Sequence, residues 1–463
     1  MDLTEAVFAG AAAQARLLAA GQITAPELID AHLERIDQLD PALRAFRVVR
    51  AEAARAEAVE AQRRLDAGER LPLLGVAVAI KDDIDVQGEV TAWGTAAHGP
   101  PKEHDAEVVR RLRAAGAIVI GKTSVPEMTI WPFTESATFG TTHNPWDLSR
   151  TPGGSSGGTA AAVAAGLVPF GVGSDGGGSI RNPATWCGLF GIKPQRDRVP
   201  LAPHHDAWQG LSVNGPLCRT VEDAALFLDV TSTTPGPDGG FVAAAARAPG
   251  RLRVAVSTKV PPGVRAQVGG AQRAAVDEAR TLFRDLGHEI VERDPDYPMV
   301  AIGTNVVARY LRGIHDDVGT MPHPERLEAR TRSMARAGGF VSDRRIAKIR
   351  AGEMAFAARL MTIFQDVDVL VTPSTAMGPF PVDAFTGRGA LRTMAEMSSR
   401  IPFHAMWNAT GQPAAVVPWS LDEDGLPVGI QLVGRPSDEA TLLALGTQIE
   451  AARPWAQRRP PIT

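Results

Sequence analysis

Apolar and polar positions along this chain predict helices that alternate with buried strands. "TAPELIDAHLERIDQL" places apolar residues at helical spacing, and Thr24 and Glu27 form a capping-box pair with Pro26 in the first turn. An Ala/Glu/Arg-rich helix that ends near Gly68 precedes the apolar run "LLGVAVAIK", which ends on Lys81. The pattern repeats as "DAEVVRRLRAAG" and "AIVIGKT". This alternation favours an α/β fold.

The same alternation continues beyond a candidate linker, "STTPGPDGG" at 232–240. "RLRVAVS" and "HEIVERD" read as strands around a helix, and "DVDVLVTPS" and "PAAVVPWS" read as further buried strands. The segment 296–400 is the least regular. We expect it, with "MWNATGQPA", to shape a substrate pocket, and its Phe and Met content favours apolar or aromatic ligands. We predict a single domain over 1–463, in which 240–463 completes the sheet.

Composition narrows the class of partner. The 463 residues carry a net charge of −4, without a Lys/Arg-rich block, which disfavours nucleic acid and anionic membranes as partners. The N-terminus lacks a basic start followed by an apolar run, and no apolar window is long enough to span a membrane. Cys187 and Cys218 fit a reducing compartment, although one disulfide stays open. We predict a cytoplasmic protein that acts on a small molecule.

Two glycine-rich stretches carry the candidate chemistry. "GSDGGGSIR" at 173–181 overlaps a G-x-G-x-x-G pattern after an apolar run, as in dinucleotide-binding folds. However, Asn182-Pro183 interrupts the helix that such a motif needs, and "KPQRDR" around Asp197 is no buried strand. The pattern therefore does not favour dinucleotide binding.

The second stretch, "TPGGSSGGTAAAVAAG" from Thr151, contains G-x-S-x-G in two registers. A nucleophile elbow must follow a strand, whereas the preceding "NPWDLSR" is turn-like, so an α/β-hydrolase is disfavoured. No phosphate-binding G-x-x-x-x-G-K-[ST] motif occurs in the chain. Each stretch alone could be a flexible turn, but their joint occurrence argues against that interpretation.

Taken together, the motifs resemble the amidase signature family of serine hydrolases. The resemblance is carried by "GVAVAIKDDIDV", "GGSSGGTAAAVAAG", "GSDGGGSIRNPATWCGLFGIKP" and "NGPLCRTVEDA", and it is strong over 70–230. It implies a large mixed, twisted sheet sandwiched by helices, and an enzyme without a cofactor. It also implies that Ser179 is the nucleophile, Ser155 is a bridging serine in a cis peptide, and Lys81 is the general base.

The chemistry of these residue types agrees with those roles. A serine hydroxyl becomes a good nucleophile only when a base takes its proton, and a lysine can do so only when it is uncharged. Lys81 ends a buried apolar run, where desolvation disfavours the ammonium. Alternatively, Lys81 extends from the strand end to solvent, or pairs with Asp82 or Asp83 and stays charged.

The resemblance implies further roles around the nucleophile. Asp175 and Arg181 would form an ion pair that braces the glycine loop, and Ser156 would cap a helix or bond nearby. Three consecutive glycines depart from many relatives, and we expect Gly176 to widen the site. Backbone N–H groups of the loop would stabilise the oxyanion, those of Gly176, Gly177, Gly178 and Ser179.

Three other groups of residues are weaker candidates for a functional role. His204-His205-Asp206 has no metal-ligand spacing and is predicted to be a surface loop, so no metal is expected. Cys187 is interpreted as a buried packing residue. "WPFTES" lies where relatives place substrate-channel residues, so Met128, Trp131 and Phe133 are candidate substrate contacts, with ordinary core packing as an equal interpretation.

The resulting hypothesis is an amide hydrolase that works through an acyl-enzyme on Ser179. Esters, anilides, carbamates and hydrazides stay open as further substrates. A glutamine-hydrolysing component of an amidotransferase is the alternative, and a non-enzymatic binding protein is a weaker one. The resemblance also leaves a homodimer open.

Overall fold

A large mixed β-sheet organises the molecule, which is described from a computed structural model that covers residues 3–298 and 302–462. Eleven strands form this sheet in the order β1-β3-β2-β6-β8-β7-β12-β13-β11-β9-β10, and β4 and β5 form a separate hairpin. The strands are β1 (Phe46–Val49), β2 (Ala77–Lys81), β3 (Ile118–Thr123), β4 (Glu135–Ser136), β5 (Gly140–Thr141), β6 (Phe170–Asp175), β7 (Phe190–Lys193), β8 (Val213–Cys218), β9 (Arg253–Val256), β10 (Glu289–Glu292), β11 (Val369–Pro373), β12 (Ala414–Leu421) and β13 (Pro427–Val433).

Helices flank the sheet. They are α1 (Leu3–Phe8), α2 (Ala11–Ala19), α3 (Ala25–Leu43), α4 (Ala51–Asp66), α5 (Glu107–Ala114), α6 (Gly157–Ala164), α7 (Arg181–Trp186), α8 (Ala207–Gly210), α9 (Val221–Thr231), α10 (Gly240–Ala245), α11 (Gly270–Asp285), α12 (Ala308–Gly319), α13 (Ala329–Gly339), α14 (Asp343–Ala351), α15 (Glu353–Met361), α16 (Ala390–Arg400), α17 (Ala405–Thr410) and α18 (Glu439–Ala452). As predicted, Thr24 and Glu27 close a capping box at the start of α3.

Strands from both halves of the chain share one sheet. In the N-terminal half, β2 is parallel to both β3 and β6 and is buried along its whole length. In the C-terminal half, β9, β10 and β11 are parallel neighbours, and β13 and β12 join them to β7. The prediction of a single α/β domain is confirmed.

The segment 296–400 differs from the sequence prediction. We expected the least regular part of the chain, but α12 to α16 lie here, together with a π-helical turn at Ile302–Val307. These helices are only 9 to 12 residues long, so each offers about three turns of pattern, and short Gly- or Pro-containing connections separate several of them. Strands β7, β8 and β13 were not predicted either.

The structure also bears on the two cysteines and on membrane-spanning helices. Cys187 and Cys218 are both buried and free, so the disulfide left open does not form. Along the described residues, no helix combines the length and the apolar character that crossing a membrane requires.

Candidate active site

The site lies where β2 and β6 end side by side. The two strands are parallel, with Ile80 opposite Val172, so their carboxyl ends meet at the same edge of the sheet. Lys81 is the last residue of β2, and Asp175 is the last residue of β6. Loops that follow parallel strands at this edge can therefore bring distant motifs together.

Lys81 contacts two serine hydroxyls and a carboxylate. Its Nζ lies 2.7 Å from Ser155 Oγ and 2.6 Å from Ser174 Oγ. Asp83 Oδ2 is 3.2 Å from the same nitrogen and accepts a hydrogen bond of 2.5 Å from Ser174 Oγ. The peptide bond between Gly154 and Ser155 is cis. Lys81 and Ser155 thus meet as the resemblance implied, and Ser174 is a partner that sequence reasoning missed.

Lys81 is desolvated, as the apolar run predicted, and it also lies beside Asp83, the alternative partner. The side chain is fully buried, so it does not reach solvent. Burial lowers the pKa of Lys81, against the opposing effect of the Asp83 carboxylate. Asp82 is not a partner of Lys81, because its carboxylate binds Arg47 and lies 3.0 Å from Lys122 Nζ.

Ser179 opens on a cavity of about 120 Å³. Ser155 and Ser174, the two serines whose hydroxyls contact Lys81, line the same cavity as Ser179. The Ser179 side chain is partly exposed, and its carbonyl accepts a hydrogen bond of 3.2 Å from the N–H of Ser156. The cavity thus joins all three predicted catalytic motifs.

A buried ion pair holds the glycine loop. Arg181 Nε and Nη2 each donate to Asp175 at 3.0 Å, and both side chains are fully buried. Asn408 donates to the Asp175 carboxylate at 2.8 Å and accepts from Arg181 at 2.6 Å. Burial opposes ionisation of Asp175, but Arg181 and Asn408 hold its pKa well below the usual range.

"MWNATGQPA", expected to shape the pocket, therefore has another role. Its Asn408 supports the ion pair, and the described residues that line the cavity include none from this stretch. Ser156 lies at the start of α6, and its hydroxyl donates to the carbonyl of Ser174 at 3.3 Å instead of capping the helix.

The loop N–H groups are not equivalent. Gly178 donates its N–H to Asp175 Oδ1 at 2.6 Å, so this group is engaged in bracing the loop and not free for an oxyanion. Gly178 has φ of +125°, and a Cβ there would lie 2.5 Å from His404 Nδ1. The remaining predicted donors are Gly176, Gly177 and Ser179.

Gly176 does not widen the site as expected. A Cβ at this position would lie 2.7 Å from Trp208 Cε3, so the indole occupies the space that the missing side chain leaves. Trp208 itself has φ of +52° and packs on Gly313 of α12. The extra glycine is thus the condition for a tryptophan in the cavity wall.

The candidate substrate contacts lie away from the cavity. Met128, Trp131 and Phe133 are buried in a hydrophobic cluster, in which Phe133 stacks on Phe385 at 4.5 Å. Of the described residues 128–136, Thr129 is the one that lines the cavity. Their neighbours thus favour the core-packing interpretation of these three residues.

The His204-His205 loop lies closer to the chemistry than predicted. Both histidines are exposed, as expected of a surface loop, but they also line the cavity. Trp93, Trp208 and Asp317 complete that wall and were missed, because they come from distant segments without a motif. Within residues 3–298 and 302–462, no three His, Cys, Asp or Glu side chains group as a metal site requires.

Comparison with known proteins identifies the class. The family model "Amidase" matches residues 27–443. The chain is 63% identical to "Putative amidase AmiB2" of Mycobacterium tuberculosis over 100% of both chains. It is 36% identical to a glutamyl-tRNA(Gln) amidotransferase subunit of Roseiflexus over 95% of each. Among solved structures, 6-aminohexanoate cyclic dimer hydrolase matches with a TM-score of 0.87 and 29% identity over 100% of both chains.

The chain therefore belongs to the amidase signature family, and it is a hydrolase that acts on amide C–N bonds. The sequence prediction of family, fold and enzyme class is confirmed.

Proposed function

We propose that this protein hydrolyses small amides through an acyl-enzyme on Ser179, with Ser155 as the proton bridge and Lys81 as the general base. The observation that carries the proposal is the 2.7 Å contact between Lys81 Nζ and Ser155 Oγ, at the edge of a cavity that Ser179 also lines. The reaction class of the family supports it.

The contacts of Lys81 explain how its lone pair is directed. A neutral amine has two N–H groups and one lone pair. Ser174 Oγ at 2.6 Å and Asp83 Oδ2 at 3.2 Å can accept the two N–H groups. The lone pair is then left for the Ser155 hydroxyl, which in turn accepts the proton of Ser179 as that residue attacks the carbonyl.

The return path releases the leaving amine. Lys81 holds the proton after attack, and the relay through Ser155 delivers it to the amine nitrogen as the C–N bond breaks. Water then attacks the Ser179 ester by the same relay and releases the acid. We propose the N–H groups of Gly176, Gly177 and Ser179 as oxyanion donors, each worth about 3 kcal/mol of barrier.

A panel of primary amides, anilides, carbamates and esters with matched acyl groups tests the reaction class. Turnover of amides, lost in Ser179→Ala, is expected. A variant that keeps its fold and its turnover without the Ser179 hydroxyl would contradict the proposed nucleophile.

Glutamine hydrolysis within an amidotransferase is a second candidate, favoured by the 36% identity to a subunit of such an enzyme. The 63% identity to "Putative amidase AmiB2" over the whole chain favours the first candidate, hydrolysis of small amides. Purified alone, the chain should hydrolyse simple amides. Activity on glutamine only, and only with partner subunits present, would reverse this preference.

A further inference from the structure

One wall of the cavity combines aromatic rings with a carboxylate. Asp317, near the end of α12, accepts a hydrogen bond of 2.7 Å from Trp208 Nε1. Trp93 lines the same cavity and contacts His204 edge-to-face at 5.8 Å. Indole faces and carboxylates are the groups that bind organic cations in proteins.

The charges that face the cavity are mostly negative. Asp83 and Asp317 both line it, and no Lys or Arg is among the described lining residues. Asp317 forms no ion pair with any described residue. His204 and His205 also line the cavity, and both are exposed.

Both carboxylates have capacity left for a donor. Asp83 Oδ1 is buried and accepts no hydrogen bond from a described residue, whereas its Oδ2 accepts from Ser174. The side chain of Asp317 has Trp208 as its one hydrogen-bond partner among the described residues. The missing donor is costly for Asp83 Oδ1, which is buried. Asp317 is partly exposed, so its second oxygen is accessible to a ligand N–H.

The same wall also borders a second, larger groove. Trp93, His204 and Asp317 line a second space of about 830 Å³. Its walls further carry Glu103 and three ion-paired carboxylates: Asp85 lies 3.5 Å from Lys102, Asp105 pairs with Arg113 at 3.1 Å, and Glu107 pairs with Arg110 and Arg111 at 2.6 and 2.8 Å.

We propose that the amide substrate carries an ammonium group, which Asp317 binds at the wall formed with Trp93 and Trp208, on the side of Asp83. This inference rests on the proposed function, because it assigns the substrate class of the same site. The ligand class is a primary or secondary alkylamine that is protonated at neutral pH and joined to an amide.

The ionisation of the wall fits such a ligand. Burial raises the pKa of Asp317 to about 6, assisted by the charges of Asp316 and Asp83, while the indole N–H of Trp208 opposes the shift. Asp317 is therefore ionised above this pH. His204 and His205 line the same cavity at its exposed rim.

Matched substrate pairs test the proposal. Each pair consists of two amides of equal length that end in an ammonium or in a methyl group, and the charge lies on the acyl part in one series and on the amine part in the other. The ratio of kcat/KM within a pair cancels the shared dependence on Lys81. In one series, the charged member should be preferred by about tenfold to a hundredfold at pH 8, the strength of a hydrogen bond to a charged group.

Asp317→Asn and Asp316→Asn form a matched pair of variants. Both remove one carboxylate from α12, but Asp316 bonds to Arg312 at 2.7 Å and Gln209 at 2.9 Å and is absent from the described cavity lining. Asp317→Asn should bring the preference close to one, mainly through KM. Asp316→Asn should retain it.

Binding without turnover gives an independent readout. Ser179→Ala should bind n-hexylammonium in calorimetry more tightly than 1-hexanol, and Asp317→Asn in that background should remove the difference. Absence of a preference in both series and in calorimetry would overturn the inference, as would an equal loss in Asp316→Asn. Hydrolysis of the uncharged amides without any preference would overturn this inference alone, whereas failure to hydrolyse any amide would overturn the proposed function.

Discussion

Two buried lysines on neighbouring strands show what distinguishes a candidate base from a structural cation. Lys81 ends β2, and Lys122 lies on β3, paired in register with Ile80. Both side chains are fully buried, and burial lowers the pKa of both. Burial alone therefore does not separate their roles.

The partners of the two lysines differ. Lys122 donates to the Val90 carbonyl at 3.0 Å and to Thr91 Oγ1 at 2.8 Å, and lies 3.0 Å from Asp82. These three acceptors match the three N–H groups of an ammonium. None of the three lines the cavity beside Ser179.

Lys81 instead contacts two serine hydroxyls, those of Ser155 and Ser174, and the carboxylate of Asp83. Ser155 and Ser174 both line the cavity, so a proton that Lys81 accepts has a path to the substrate. This difference supports the proposal that Lys81, and not Lys122, is the general base, because two of its partners line the cavity.

Replacing each lysine gives the largest expected contrast. Lys81→Met should lower kcat by about 10²–10⁴-fold, the contribution of a general base, with the fold retained. Lys122→Met should lower the free energy of unfolding by about 3–5 kcal/mol, since it leaves Asp82 without one of its buried partners, while kcat of the folded enzyme changes little. Amide turnover and urea unfolding of both variants check this. Equal loss of kcat in the two variants would remove the distinction.

Removing the charge of Asp83 and removing the charge of Asp82 should have different effects on the pH dependence of kcat/KM. The negative charge of Asp83 raises the pKa of Lys81, so Asp83→Asn should lower it further. With Lys81 as the base, activity rises as its amine loses a proton, so the acidic limb of kcat/KM should move to lower pH.

Asp82→Asn is the control for that shift. Asp82 binds Arg47 and Lys122, so its loss should lower stability and leave the acidic limb in place. A limb that moves to higher pH in Asp83→Asn, or that moves equally in both variants, would contradict the assigned base.

The hydroxyl partners should give the smallest contrast. Ser174→Ala removes one acceptor that orients the Lys81 amine, and kcat should fall by about threefold to tenfold, the worth of one hydrogen bond. Thr91→Ala removes the equivalent partner of Lys122 and should cost about 1 kcal/mol of stability without an effect on kcat. Steady-state kinetics and thermal unfolding of the pair decide whether Ser174 is a positioning residue.

Much of this site could be predicted from the sequence, because its motifs are local. Lys81 ends an apolar run, Ser155 and Ser179 lie in glycine-rich stretches, and the resemblance of these stretches to a known family connected them. The buried strands of an α/β fold are also local apolar runs.

The cavity wall could not be predicted, since it depends on contacts between distant segments. Trp208 lies in α8, where left-handed backbone leaves no periodic pattern, and it meets Asp317 across 109 residues of chain. Asn408 reaches the Asp175–Arg181 pair from more than 200 residues away. The choice of Gly178 N–H as a partner of Asp175 depends on loop geometry in the same way.

The central claim is that Ser179 is the nucleophile and Ser155 is the bridge. The most direct test is to treat the protein with a fluorophosphonate and to locate the adduct by peptide mass spectrometry. We predict labelling at Ser179, lost in Ser179→Ala and strongly slowed in Lys81→Met. Labelling at Ser155, or labelling that persists without the Ser179 hydroxyl, would contradict the account.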